Sequence, residues 1–124
     1  MTDRKAVLVV DDDAELRRLF RTALELAGFD VREAPNGYEA IHSVDRKAPD
    51  LIVLDLALPG FGGLGVQKEI ADRASTRHIP IVIVTGSSRE LDKLGVACVL
   101  RKPVDPDTLV ATVQRCIEEA DPRP

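Results

Sequence analysis

Apolar and polar positions follow two different rhythms along this chain. Val7-Leu8-Val9-Val10, Leu51-Ile52-Val53-Leu54, Ile81-Val82-Ile83-Val84 and Val96-Ala97-Cys98-Val99-Leu100 are short unbroken apolar runs. Such runs predict parallel strands covered on both faces. Phe29-Asp30-Val31-Arg32 alternates instead, which predicts an edge strand with one wetter face. Pro80 opens its run, where a strand tolerates a missing donor. Between the runs the spacing becomes helical. Leu16, Leu19, Phe20, Ala23, Leu24 and Ala27 fall on one face, with Asp13 as the N-cap and Gly28 as the stop. Ala40, Ile41, Val44 and Ala48 make a second stripe, and Val66, Ile70 and Ala74 a third. Leu109, Val113, Cys116 and Ile117 make the last, opened by Asp105 as cap and Pro106 at the first helical position.

Strand and helix thus alternate five times, which predicts an α/β fold with a parallel sheet and helices on both faces. Right-handed crossovers and an edge-like second strand give a flavodoxin-like, doubly wound, five-stranded sheet of order 2-1-3-4-5. The helix after the fourth strand, Ser87 to Leu94, has room for only one to two turns. There is no internal repeat and no linker. The expectation is one domain over residues 1–124, with a core of about 5–119 and a short polar tail.

Composition narrows the function. The chain has 124 residues, 17 basic and 21 acidic, for a net charge of −4 and a pI of about 5.2. A direct nucleic-acid partner is not expected, since phosphate neutralisation needs a basic face. No apolar run nears the roughly 18 residues of a membrane span, and the polar start has no signal-peptide pattern. No membrane partner is expected, and a cytoplasmic location is. Cys98 and Cys116 lie in apolar runs without ligand-like spacing and read as buried reduced thiols. With no Trp, one Tyr and three Phe, no base-stacking surface is available.

Candidate chemistry lies beyond the carboxyl ends of the strands, where open α/β sheets gather their ligands. Strand 1 ends in Asp11-Asp12-Asp13, strand 3 in Asp55, strand 4 in Thr85 and strand 5 in Arg101-Lys102-Pro103. In the 2-1-3-4-5 order these ends converge. Carboxylates gathered in one pocket repel one another and need a cation. Oxygen donors with room for water suit Mg²⁺, and Lys102 adds a compact point charge. A carboxylate is also a competent nucleophile for an acyl phosphate.

Val9-Val10-Asp11-Asp12, Asp55-Leu56-Ala57-Leu58-Pro59, Val84-Thr85-Gly86 and Lys102-Pro103 resemble the four signatures of two-component response regulator receiver domains. The resemblance covers residues 5 to about 119. It implies that Asp55 accepts a phosphoryl group from a phosphohistidine on a sensor histidine kinase or histidine phosphotransfer protein. It implies Mg²⁺ on Asp12, Asp55 and the Ala57 backbone carbonyl, with Asp11 acting mainly through water. Thr85 and Lys102 would bond the phosphoryl group, and Lys102-Pro103 would be cis. The chain would be a signalling switch rather than an enzyme, changing its contacts with a downstream protein. The alternative is a receiver-fold interaction module that works without phosphorylation.

Three positions depart from the family pattern. Gly62 stands where a polar side chain often caps the third helix, so a looser loop is expected. Thr85 to Lys102 is only 102 − 85 = 17 positions. Val99 stands where many members carry a switch aromatic. A phosphatase-type hydrolase would want a second acid two residues beyond Asp55, and Ala57 is there. Gly60-Phe61-Gly62-Gly63-Leu64-Gly65 matches G-x-G-x-x-G, but the acid a dinucleotide site needs some 20 residues on is absent. His42 and His78 receive no role.

Overall fold

The structure is a computed structural model that describes residues 4–86 and 98–120. The expected helix over Ser87 to Leu94 lies outside the described residues, as do Val96 and Ala97. The described elements are β1 (Ala6–Val10), α1 (Ala14–Leu26), β2 (Asp30–Ala34), α2 (Gly37–Arg46), β3 (Leu51–Asp55), α3 (Gly62–Asp72), β4 (Ile81–Thr85), β5 (Cys98–Arg101) and α4 (Pro106–Ala120). The strands form one parallel sheet, as the apolar runs predicted, in the order β2-β1-β3-β4-β5 expected from right-handed crossovers and an edge-like second strand.

Because side chains alternate across a strand, each central strand feeds two cores. Val7, Val9, Val53, Val82 and Val84 face α1 and α4, where Phe20, Leu24, Leu109, Val113 and Cys116 close the layer. Leu8, Val10, Ile52, Leu54, Ile81 and Ile83 face α2 and α3, where Ala40, Val44, Val66 and Ile70 pack. β3 and β4 are buried throughout, whereas Cys98, Val99 and Leu100 of β5 are only half-buried, less than their apolar run predicted.

Local chemistry sets the helix ends. Asp13 caps α1, accepting the N–H groups of Glu15 and Leu16 at 3.0 and 3.1 Å. Asp105 caps α4 by accepting the Thr108 N–H at 2.9 Å. The helical stripes, however, run past the burial they predicted. Leu19 is 48% exposed, and Ala27 is exposed too. Both line a groove of about 510 Å³ between α1 and α4. Ala48 and Ala74 lie beyond the ends of α2 and α3 and are exposed. α2 stops at Arg46 as the chain turns extended at Lys47. α3 stops at Asp72, and the buried Thr76 hydroxyl then donates to the Ile70 carbonyl at 2.8 Å.

Both cysteines are free, but Cys98 is half-buried rather than buried, and accepts a contact from Arg115 Nη2 at 3.0 Å. Burial first, and then the neighbouring Cys98, push the Cys116 thiol up to about 12, which leaves it protonated at neutral pH.

An ion-pair network joins α1 to the edge strand β2. Arg17 Nε and Arg21 Nη1 reach the Glu33 carboxylate at 2.8 and 2.9 Å. Burial alone would raise the Glu33 pKa, but the two guanidiniums outweigh it and hold the carboxyl below its ordinary value. Arg17 Nη1 also donates to the Asp11 carbonyl at 2.7 Å, tying this network to the end of β1.

Two stability predictions result. Asp13→Ala removes a cap and should cost about 1 kcal/mol in urea unfolding. Glu33→Gln should cost about 1 kcal/mol at neutral pH. Because the native pKa is depressed, that deficit should be full above the ordinary value of 4.5 and close as pH falls below it. Urea midpoints of both proteins across pH check this; a deficit that grew in acid would contradict it.

Candidate functional site

Strand register builds the site. Val10 pairs with Leu54, Asp55 with Val84 and Thr85 with Arg101. The residues just past β1, at the ends of β3 and β4, and just past β5 therefore meet at one edge of the sheet. Carboxylate oxygens of Asp11, Asp12 and Asp55 all lie within 4.8 Å of one another. Asp11 and Asp55 are 2% and 3% exposed, while Asp12 faces solvent.

Each buried carboxylate has two distinct partners. Asp55 Oδ1 accepts the Ala57 N–H at 2.9 Å, and Asp55 Oδ2 accepts from Lys102 Nζ at 3.3 Å. Asp11 Oδ1 accepts the Asp13 N–H at 2.9 Å, and Asp11 Oδ2 accepts from the same ammonium at 3.3 Å. Lys102 thus bridges two carboxylates that are 44 residues apart in sequence. Its own backbone N–H donates to the Thr85 carbonyl at 2.9 Å, which fixes the start of the segment after β5. The Lys102-Pro103 bond is cis, as the family resemblance implied.

The electrostatics match this layout. Burial is the main force raising the Asp11 pKa, and the Asp55 carboxylate adds to it; the Asp13 N–H and Lys102 pull it back without reversing it. For Lys102, burial acts to lower the pKa, but the Asp55 and Asp11 carboxylates prevail and hold it above the ordinary lysine value. The ammonium is therefore fixed as charged, and two buried carboxylates share it. One lysine leaves the cluster with excess negative charge.

The donor set fits a hard divalent cation: only carboxylate oxygens, two of them held by backbone N–H groups, with one open to solvent through Asp12. Thr85 is 1% exposed at the end of β4. Ala57 lies in the exposed turn after β3. The structure therefore brings Asp11, Asp12, Asp55 and Lys102 together and sets Thr85 and Ala57 at the adjoining strand end and turn. Asp13 belongs to helix capping.

One feature beside the site was not legible in the sequence. Phe61, before α3, stacks on Tyr38 of α2 with ring centroids 5.4 Å apart. The only sequence signal was the scarcity of aromatics. α3 itself begins without a side-chain cap, in line with the loose loop expected from Gly62. Gly63 is needed for close approach: a Cβ there would lie 2.5 Å from the Asp55 carbonyl oxygen and from Leu56 Cα. The first turn of α3 thus rests on the backbone of the site. Val99 packs with the core beneath α2 and α3.

Comparison with known proteins agrees with this geometry. The chain is 37% identical over 125 residues to the phosphate regulon transcriptional regulatory protein PhoB of Pseudomonas aeruginosa, covering 95% of this chain and 54% of that protein. It spans about half the length of that relative. It is 31% identical over 121 residues to the polar-differentiation response regulator DivK of Brucella anthropi, covering 94% of this chain and 98% of DivK. The fold superposes on the chemotaxis response regulator CheY4 of Vibrio cholerae with a TM-score of 0.85 at 28% identity, covering 92% of this chain and 99% of that one. The family model for the response regulator receiver domain matches residues 7–114. With the acidic cluster and the 2-1-3-4-5 sheet, that match makes the chain a member of the response regulator receiver domain family.

Proposed function

We propose that Asp55 is the phosphoacceptor of a phosphorylation-driven switch that uses Mg²⁺. The observation that supports this best is the pairing of three carboxylates within 4.8 Å with a lysine that bridges Asp11 and Asp55. Receiver domains are signalling switches rather than ordinary enzymes, and they interact with histidine kinases and downstream targets. Among the described residues no helix is long and apolar enough to cross a membrane.

In this reading Asp11, Asp12, Asp55 and the Ala57 carbonyl hold Mg²⁺. The ion supplies charge neutralisation on the transferring phosphoryl group. The chain's own residues do the rest. The Ala57 N–H and Lys102 orient the Asp55 carboxylate by its two oxygens. One of these attacks the phosphorus of a phosphohistidine; the P–O bond forms as the P–N bond breaks, and the imidazole leaves. Lys102 and the Thr85 hydroxyl then bond the phosphoryl oxygens. Any catalysis the chain performs is of its own phosphorylation and dephosphorylation.

Incubation with Mg²⁺ and acetyl phosphate should add one phosphoryl group by intact mass, and Asp55→Asn should abolish it. A wild type left unmodified would refute the reading. A downstream partner bound equally by wild type and Asp55→Asn would instead favour the module that works without phosphorylation.

Removing one of the crowded carboxylates should separate stability from binding. Asp11→Asn relieves like-charge repulsion and should raise the melting midpoint in metal-free buffer by about 4 °C, roughly 1 kcal/mol in a domain of this size. The same change should weaken Mg²⁺ binding by calorimetry. A variant that lost both stability and affinity would show that Asp11 is structural.

A further inference from the structure

The glycine-rich stretch Gly60 to Gly65 has no phosphate to hold in the reading above, yet one of its glycines, Gly65, meets a specific neighbour. The Phe61 ring lies in a seat cut by Gly65 and by Gly37 of α2. A Cβ at Gly65 would sit 2.7 Å from Phe61 Cε1, and one at Gly37 would sit 2.8 Å from Phe61 Cδ2. Either contact is too short for a real side chain, so the ring occupies that space because both residues lack a Cβ. Tyr38, next to Gly37, stacks on the ring with an interplanar angle of 29°. Below it the ring joins Leu58 and Val66 in the core under α2 and α3.

We propose that Phe61 is a positioning residue for the acidic site, holding the far end of the Leu56–Gly60 turn and coupling its order to the α2–α3 face. This rests on the reading of that site as a Mg²⁺ and phosphoryl site. The turn is anchored at one end by Asp55 in β3, where the Ala57 N–H bonds the carboxylate. At the other end, α3 has no side-chain cap to hold it. Two packing contacts do so instead: Gly63 against the Asp55–Leu56 backbone, and Phe61 in its seat. Freeing Phe61 leaves the far end of the turn held by Gly63 alone. A cation using the Ala57 carbonyl must then order that turn on binding, which lowers affinity. By linkage, the ion that orders the turn must also favour the seated ring. The ring is read at the surface by Tyr38, which is 73% exposed beside a groove lined by Ile41, His42 and Arg73. This route runs through α2 and α3, not through β5, where Val99 replaces the aromatic expected from the family.

Tyr38 is the single tyrosine in a chain without tryptophan, so intrinsic emission reports this stack. Mg²⁺ titration of the wild type should change Tyr38 emission and give an affinity that calorimetry reproduces. Phe61→Ala should weaken Mg²⁺ binding roughly five- to tenfold and remove the emission change. Phe61→Tyr should restore the affinity. Val44→Ala, a buried truncation in α2 that takes no part in the Phe61 seat of Gly37, Gly65 and Tyr38, should stay within about twofold of wild type, although it too is destabilised. If Phe61→Ala does not fold, Phe61→Leu carries the same comparison. Equal Mg²⁺ affinity of wild type and the Phe61 variant, or wild-type emission unmoved at saturating Mg²⁺, would overturn this proposal and leave the site reading intact. A wild type that bound no Mg²⁺ would overturn both.

Discussion

The structure is organised around unbalanced charge at the end of a buried sheet. A parallel sheet covered on both faces can bury its three central strands of valine, leucine and isoleucine, but its carboxyl edge must end somewhere polar. Here it ends in aspartates, two of them almost wholly removed from water. Burying carboxylates beside one another is unfavourable unless a cation and fixed dipoles answer them. Lys102 and the N–H groups of Asp13 and Ala57 provide that answer in part. What remains is a negative site with geometry already set, which suits an incoming hard cation better than it suits the resting protein.

How much of this was readable in the sequence depended on the range of each interaction. The continuous apolar runs specified the strands, because burial on both faces leaves a one-dimensional trace, and right-handed crossovers with an edge-like second strand specified their order. Asp13 and Asp105 were readable as caps, because a cap acts over three residues. Asp11, Asp55 and Lys102 were readable as a set only because the fold class brings strand ends together. Ala48 and Ala74 misled because a 3.6-residue stripe continues in the sequence after the helix has ended, and Leu19 and Ala27 misled because the stripe does not show the groove that α1 leaves beside α4. The grip of Arg17 and Arg21 on Glu33 and the stack of Tyr38 on Phe61 left no trace: each joins segments with independent local patterns. Cys98 was misjudged because an apolar run does not show how thinly an edge strand is covered, although the order 2-1-3-4-5 already placed that strand at an edge.

The two cores have different relations to the site. The layer under α1 and α4 reaches it through rigid contacts: the Asp13 cap, and Arg17 on the Asp11 carbonyl. The layer under α2 and α3 reaches it through a turn whose far end is held by packing rather than by a side-chain cap. One face of the sheet thus anchors the site, and the other is better placed to respond to it.

The strict alternation of the strands also has a consequence for variation in this chain. Every residue inside β1, β3 and β4 serves one of two hydrophobic layers, and reactive groups begin only at the last residue or the next one. Interior positions can exchange one aliphatic side chain for another of like volume while the pocket keeps its shape. An inserted or deleted strand residue is a different matter. It would turn Asp55 or Thr85 toward a helix layer and bring an aliphatic side chain to the pocket. Drift in this family member is therefore cheap by substitution and forbidden by length, a constraint set by pleat geometry before any chemistry is considered.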